Sequence, residues 1–358
     1  MRKLLRSFFD RYFHDEEAII FVILLVLALV VLVSMGSVLA PLFAAVVTAY
    51  LLQGLVNMLV GYKLPYMIAV TIVYVLFISV FAAMLLFLLP QAWGQLGRFI
   101  NELPRLISEG QDLLLQLPAA YPSLVSEQQV QDLIRTLRGD LAVFGQRVVS
   151  YSISSIPRVF NLTVFLVLVP VLVFFMLKDK TVLVRWISNL LPKNRPLMLQ
   201  VWKEMDEQLA NYIRGKVLEI FIVGVGSYIT FFIIGVNYAL LLSLLVGLSV
   251  IVPFIGVAVV AIPVILVAYV QWGIGPEFFT VTISYGIIQL IDANVVVPII
   301  FSETVNLHPV AVISAVLFFG GLWGLAGVFF AIPLATLIKA IINAWPDTTR
   351  KPPLEEGP

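Results

Sequence analysis

Asp292 is the side chain best placed to do chemistry in this sequence. It lies in a 119-residue stretch, Ile220 to Ile338, with no lysine or arginine, only two other carboxylates, Glu277 and Glu303, and one histidine, His308. A stretch so poor in charge belongs in a bilayer, where an ionised side chain at mid-depth costs about 2.5–3.5 kcal/mol. An acid retained there needs a function or a partner. Tyr285, Gln289 and Asp292 stand at i, i+4 and i+7, so one helix face carries all three, with Ser284 and Asn294 nearby. Such a stripe can bind a small polar molecule or a coupling cation, and its carboxyl can exchange a proton for that cation. The plainer role for Gln289 and Asn294 is hydrogen bonding between helices. Glu303 and His308 fall near a membrane boundary, as solvated loop charges or as a proton-relay pair.

Other chemistries lack the residues to carry them. There is no phosphate-binding loop of the G-x-x-x-x-G-K-[ST] type, no H-E-x-x-H pair and no G-x-S-x-G elbow. Histidine occurs only at 14 and 308 and cysteine not at all, so no enzyme activity, cofactor or metal site is predicted. A net charge of +1, with no aromatic-interleaved basic patch, argues against nucleic acid as a partner. The composition, 61% hydrophobic and 12% charged with a mean hydropathy of +1.04, is that of a polytopic membrane protein.

The elements that must position the stripe follow from hydropathy and charge. Residues 1–17 carry Arg2, Lys3, Arg6 and Arg11 with Leu5, Phe8, Phe9, Tyr12 and Phe13 on one side, a cytoplasmic amphipathic segment at the membrane surface. Three spans follow within 18–89, at 18–35, 38–60 and 65–89. Residues 90–158 hold six acids and six bases with prolines at 104, 118, 122 and 157, and Leu96, Phe99, Ile100, Leu103 and Ile107 recur at helical spacing. This predicts a small helical periplasmic insertion. After a span at 159–177, the segment 178–216 has eight bases against four acids and reads as a cytoplasmic arm of two amphipathic helices. A transport core at 217–345 and a cytoplasmic tail at 346–358 complete the chain.

Two elements of that core are broken. Leu240 to Gln271 is one apolar run interrupted by Pro253, Gly256 and Pro263, and its first limb, to Val252, reaches only ~20 Å, too short to cross. Pro309 to Trp345 is interrupted by Gly320, Gly321, Gly324, Gly327 and Pro333. Gly256-Val-Ala-Val-Val-Ala-Ile-Pro263 parallels Gly327-Val-Phe-Phe-Ala-Ile-Pro333, with Asn237 and Asn306 ahead of the respective limbs. Two hairpins flanking one full span at 278–301 form the layout of an inverted-repeat transporter, with the glycines and prolines as hinges or gates. The fold class is therefore all-α and polytopic, with about eight membrane-embedded elements, two of them re-entrant or broken.

Four motifs carry a resemblance: Asn211-Tyr-Ile-Arg-Gly-Lys216, Ile251-Val-Pro-Phe-Ile-Gly256, Asp292-Ala-Asn-Val-Val-Val-Pro298 and Gly320-Gly-Leu-Trp-Gly-Leu-Ala-Gly327 with Ile332-Pro333. Together they resemble the autoinducer-2 exporter family over essentially the whole chain. The resemblance implies an inner-membrane permease assembled as a homo-oligomer, with a pentamer as the candidate number, exporting a small polar metabolite such as autoinducer-2. Members linked to sodium or lithium exchange for protons make an antiporter the alternative, and a non-transporting membrane scaffold is the alternative of another class. The family brings no agreed catalytic residue set.

Overall fold

A computed structural model describes residues 16–120, 128, 131, 156–193, 195–253, 255–301 and 307–344. The regular elements are helices, with no strand among the described residues. In hydrocarbon every backbone amide needs an internal partner, and a helix supplies one within a single segment. The helices are α1 Glu16–Gly61, α2 Tyr66–Ala83, α3 Leu89–Ala120, α4 Ile156–Lys178, α5 Lys180–Leu190, α6 Pro196–Ile234, α7 Ala239–Ser249, α8 Ile255–Trp272, α9 Pro276–Ile291, α10 Val297–Phe301 and α11 Pro309–Ala344, with π-turns at Met84–Leu88 and Asp292–Val296. Six of the described helical stretches are long and apolar enough to cross a membrane. Large apolar side chains such as Leu86, Phe232, Ile233 and Ile299 stay exposed, as lipid-facing positions should.

Several boundaries expected from composition fall inside continuous helices. Residues 66–120 form one run through the π-turn, so the third span passes without a break into the amphipathic helix of the insertion. The arm likewise runs into the next span within α6. The spans expected at 18–35 and 38–60 are joined in α1, which nevertheless bends. The Met198 amide donates to Glu17 Oε1 and the Tyr50 hydroxyl to Asp206 Oδ1. A straight helix would hold residues 17 and 50 ~50 Å apart, whereas 198 and 206 are ~12 Å apart along α6. Between the two residues lie Gly36 and Pro41, which weaken the helical ladder. The residues singled out in 1–15, most of 121–155, Ser302, Glu303, Asn306 and the tail lie outside the described residues.

The chain divides into two compact units, one of Met1–Tyr74, Val169–Gly215 and Phe301–Pro358, the other of Val75–Leu168 and Lys216–Ile300. In the first, Tyr66 donates to the Leu177 carbonyl, tying the start of α2 to the end of α4. Here α11 is broken at Gly324, whose φ of 59° and ψ of −137° suit only glycine. The limbs fold back so closely that a Cβ on Gly327 would stand 1.8 Å from the Phe319 carbonyl oxygen, while Ala315, Val316, Phe319 and Ala331 form the seam. Pro333 has no N–H to offer the carbonyl four residues earlier, that of Phe329, and the Tyr212 hydroxyl donates to it at 2.9 Å.

The second unit holds the other broken element. The limb α7 is 11 residues long, ~16 Å, and α8 is 18 residues, ~27 Å. Tight turns close the gap between them: Val252 N–H donates to the Ser249 carbonyl and Gly256 N–H to that of Val252. A Cβ on Gly256 would lie 1.9 Å from the Ser249 oxygen, so this glycine too marks a crossing of limbs. Gln271 fastens the open end, its Nε2 donating to the Gly235 carbonyl and its Oε1 accepting the Asn237 N–H. The ends of the 235–272 segment thus meet, and the element is a hairpin. Gln95 of α3 accepts the Leu241 N–H, one of the orphan donors of the first turn of α7.

Candidate functional site

The polar stripe and the first break meet in the second unit. Tyr285 is buried and its hydroxyl donates to the Val257 carbonyl of α8 at 2.6 Å, which binds the stripe helix to the hairpin one turn beyond the break. Gln289, one turn further on, has both amide atoms buried with no protein partner among the described residues. Asp292 opens the π-turn and is 7% exposed, and its Oδ1 is equally without a hydrogen bond. A π-turn adds a residue to the helical repeat, and such turns recur at functional sites because they redirect a side chain. Asn294 is exposed and donates to the Leu290 carbonyl of its own helix, so it stands apart from the buried three. Neither amide bonds a neighbouring helix among the described residues. His308 is exposed at the start of α11, in the other unit, where its Nδ1 accepts the Val310 N–H.

Asp292 is not alone with its charge, because a lysine just ahead of the 220–338 stretch acts on it. Lys216, four residues before the charge-poor stretch begins, is buried to 5% exposure and acts electrostatically on Asp292. Its Nζ lies 2.7 Å from Glu219 Oε2, a buried ion pair. Nζ also donates at 3.0 Å to the carbonyl of Val250, the residue immediately after α7 and the first of the break. Glu219 is 2% exposed and feels the Asp292 charge in turn. The buried set is thus one ammonium and two carboxylates, with the ammonium on the backbone carbonyl that opens the break. Ser227, two turns beyond Glu219 on α6, adds a buried hydroxyl without a partner.

Physically, this arrangement is costly unless used. A buried ion pair recovers its desolvation only with good geometry and further hydrogen bonds, and an extra buried carboxylate adds a charge that the ammonium does not cancel. Unpartnered buried amide and carboxyl atoms each lose about 1–3 kcal/mol relative to hydration. The residues can hold a proton, a monovalent cation or a small polar molecule with hydrogen-bonding groups. No set of three or more His, Cys, Asp or Glu able to hold a metal occurs among the described residues.

The helices place the hinge residues in two separate hairpins. Pro253 and Gly256 form the first break, with Pro263 inside α8; Gly320, Gly324 and Gly327 lie along the second fold-back, with Pro333 in its returning limb. Gly321 meets nothing, so it is not part of the crossing. Gly224 lies against Gly247 of α7, where a Cβ on Gly247 would come within 3.0 Å of the Gly224 Cα, while Gly226 faces open space.

A multi-pass all-helical membrane protein with two broken hairpins and a buried charged cluster has the build of a transporter. The comparisons place it more closely: the family model for AI-2E family transporters matches residues 19–347, and the chain belongs to that family. It is 44% identical to the protein named "Putative permease PerM" of Escherichia coli strain K12, over 97% of this chain and 98% of that relative. It is 26% identical to "Putative transport protein YueF" of Bacillus subtilis strain 168, over 86% and 84% of the two chains. These relatives are named as permeases and transport proteins, and the chain is a membrane transporter.

Proposed function

We propose that this transporter exports a small polar metabolite such as autoinducer-2 by alternating access, with the first hairpin break, Tyr285, Gln289 and Asp292 forming the substrate and coupling site. The buried unpartnered atoms of Gln289 and Asp292 beside a break held by Lys216 carry this conclusion. Polar groups in that position are expensive in a membrane and suit a polar solute that supplies their missing partners. One observation favours the second reading, a sodium or lithium/proton antiporter: two carboxylates share a single ammonium, which leaves room for one exchangeable cation. The protein sits in the bacterial inner membrane with both termini cytoplasmic, a placement supported by the basic 178–216 segment. It works as a homo-oligomer, with a pentamer as the candidate.

Proteoliposomes with a pH-sensitive dye inside test both readings. Metabolite efflux that responds to an imposed proton gradient is expected for the exporter; sodium- or lithium-driven proton movement without metabolite flux identifies the antiporter. Neither flux from correctly inserted protein overturns transport at this site and favours a scaffold that binds partners through 90–158 and the 178–216 arm.

A further inference from the structure

We propose that Lys216 is a clamp on the first hairpin, holding the break closed through the Val250 carbonyl while the Glu219 and Asp292 carboxyls carry one proton or monovalent cation between them, and releasing it when that charge leaves. The inference rests on the transport reading for its purpose, but its geometry stands alone. The Val250 carbonyl opens the break, and the Lys216 ammonium donates to it at 3.0 Å. In a lipid-embedded segment a carbonyl that loses a donor has no water to replace it, so the ammonium favours the closed break as long as it stays put.

What holds the ammonium in place is the balance of charge around it. With one carboxyl neutralised, Lys216 and the remaining carboxylate cancel, and Nζ can rest on Glu219 and Val250 together. When the last proton passes to water, the set carries a net charge of −1 in a buried place. Among the described residues the mobile cation in reach is then the lysine, whose four-carbon stem lets it turn toward Asp292. That turn frees the Val250 carbonyl, and the hairpin is loosened at its tip.

Few other charges face this cluster. The segments 239–249 and 255–272 contain no charged residue, and α9 has only Glu277, fifteen residues before Asp292. On α3, Arg98 and Glu102 act on Tyr238 at the opposite end of the hairpin. Among the described residues, Gln289, Tyr285, Ser227, Ser243 and Ser249 are further polar groups of this unit, and none of them is charged at neutral pH. The titration therefore belongs to Glu219 and Asp292.

The cysteine-free chain allows a direct test in the full-length protein. Val252→Cys reports on the break, and Tyr62→Cys, in an exposed loop, reports the intrinsic pH dependence of thiol labelling. In reconstituted protein without substrate, the ratio of maleimide labelling rates, 252 to 62, should rise several-fold as pH increases and the carboxyls lose their shared proton. Lys216→Met should raise the ratio about tenfold at all pH values, Lys216→Arg should keep it near wild type, and Asp292→Asn should hold it low throughout. An unchanged ratio in Lys216→Met, or a rise with pH that survives Asp292→Asn, overturns the clamp. If Lys216→Met does not assemble, Glu219→Gln combined with Asp292→Asn decides, a flat low ratio supporting the clamp and a wild-type rise overturning it. Labelling needs no flux, so a responsive clamp in protein that moves no solute counts against the transport reading alone.

Discussion

Asp292 and Asn294 lie two residues apart in one motif, and the structure gives them opposite settings. The first is buried in the π-turn with an unpartnered oxygen; the second is exposed and bonded to its own helix. Asp292→Asn, which keeps the shape and removes the charge, should lower flux at least tenfold in protein that still elutes as a single species. Asn294→Ala should leave flux within a factor of two. Equal losses from both would mean that the motif matters for packing, and the assignment of Asp292 would fall. Asp292, Gln289 and Tyr285 were legible in the sequence because polar residues stand out against an apolar run. Lys216 and Glu219 were not, since a lysine at the end of a basic segment looks like one more cytoplasmic charge. Their i, i+3 spacing at the edge of the charge-poor stretch was the available signal. Only the fold carries the ammonium inward to Val250.

Both hairpins have a glycine in the same role, which sequence parallels suggested and the backbone explains. Gly256 and Gly327 each begin a returning limb, and each lies against a carbonyl of the outgoing limb, Ser249 and Phe319 respectively. The parallel therefore reflects a shared requirement for a missing side chain at a crossing. A Cβ there meets backbone, which cannot rotate away, and the limbs must separate. Gly256→Ala and Gly327→Ala should each cost about 1–3 kcal/mol, the range for overpacking a tight contact. Gly321→Ala, which meets nothing, should cost nothing, and Gly324→Ala should lose on the order of 1–3 kcal/mol through its backbone conformation alone. Thermal unfolding in detergent, read together with flux per inserted protein, checks the set. Wild-type stability for Gly256→Ala and Gly327→Ala would mean that the limbs do not touch in the membrane. Two residues of the Asn211–Lys216 motif support these elements, Tyr212 bonding Phe329 in one unit and Lys216 bonding Val250 in the other. A motif that runs directly into the membrane part of α6 thus also supplies donors to broken backbone.

At the scale of the whole chain, the hairpins decide which loops face which side. Composition alone leaves the choice open, because eight uninterrupted crossings and two re-entrant hairpins both bring the C-terminus back to the side of the arm. The Gln271 bonds to Gly235 and Asn237 weigh for the hairpin: a segment whose ends are joined returns to the side it left. The short limb agrees, since ~16 Å of α7 cannot span a ~30 Å core. The end of α6 and the 273–275 loop then share one face. From Pro276 the helix runs 26 residues to Phe301, ~39 Å, enough for a full crossing. A cysteine at Gly275 should accordingly react with a membrane-impermeant thiol reagent from outside intact cells, and one at Ser302 only after permeabilisation. One uninterrupted crossing by the 239–272 segment would move both positions to the opposite faces. The paired result is decisive because the intervening helix forces the two sites apart whichever way it points, so two labels on one side would signal misinsertion of the variant. Reversed labelling would replace the hairpin by a single crossing, and with it the clamp at Val250 would lose its place at the tip of a re-entrant element.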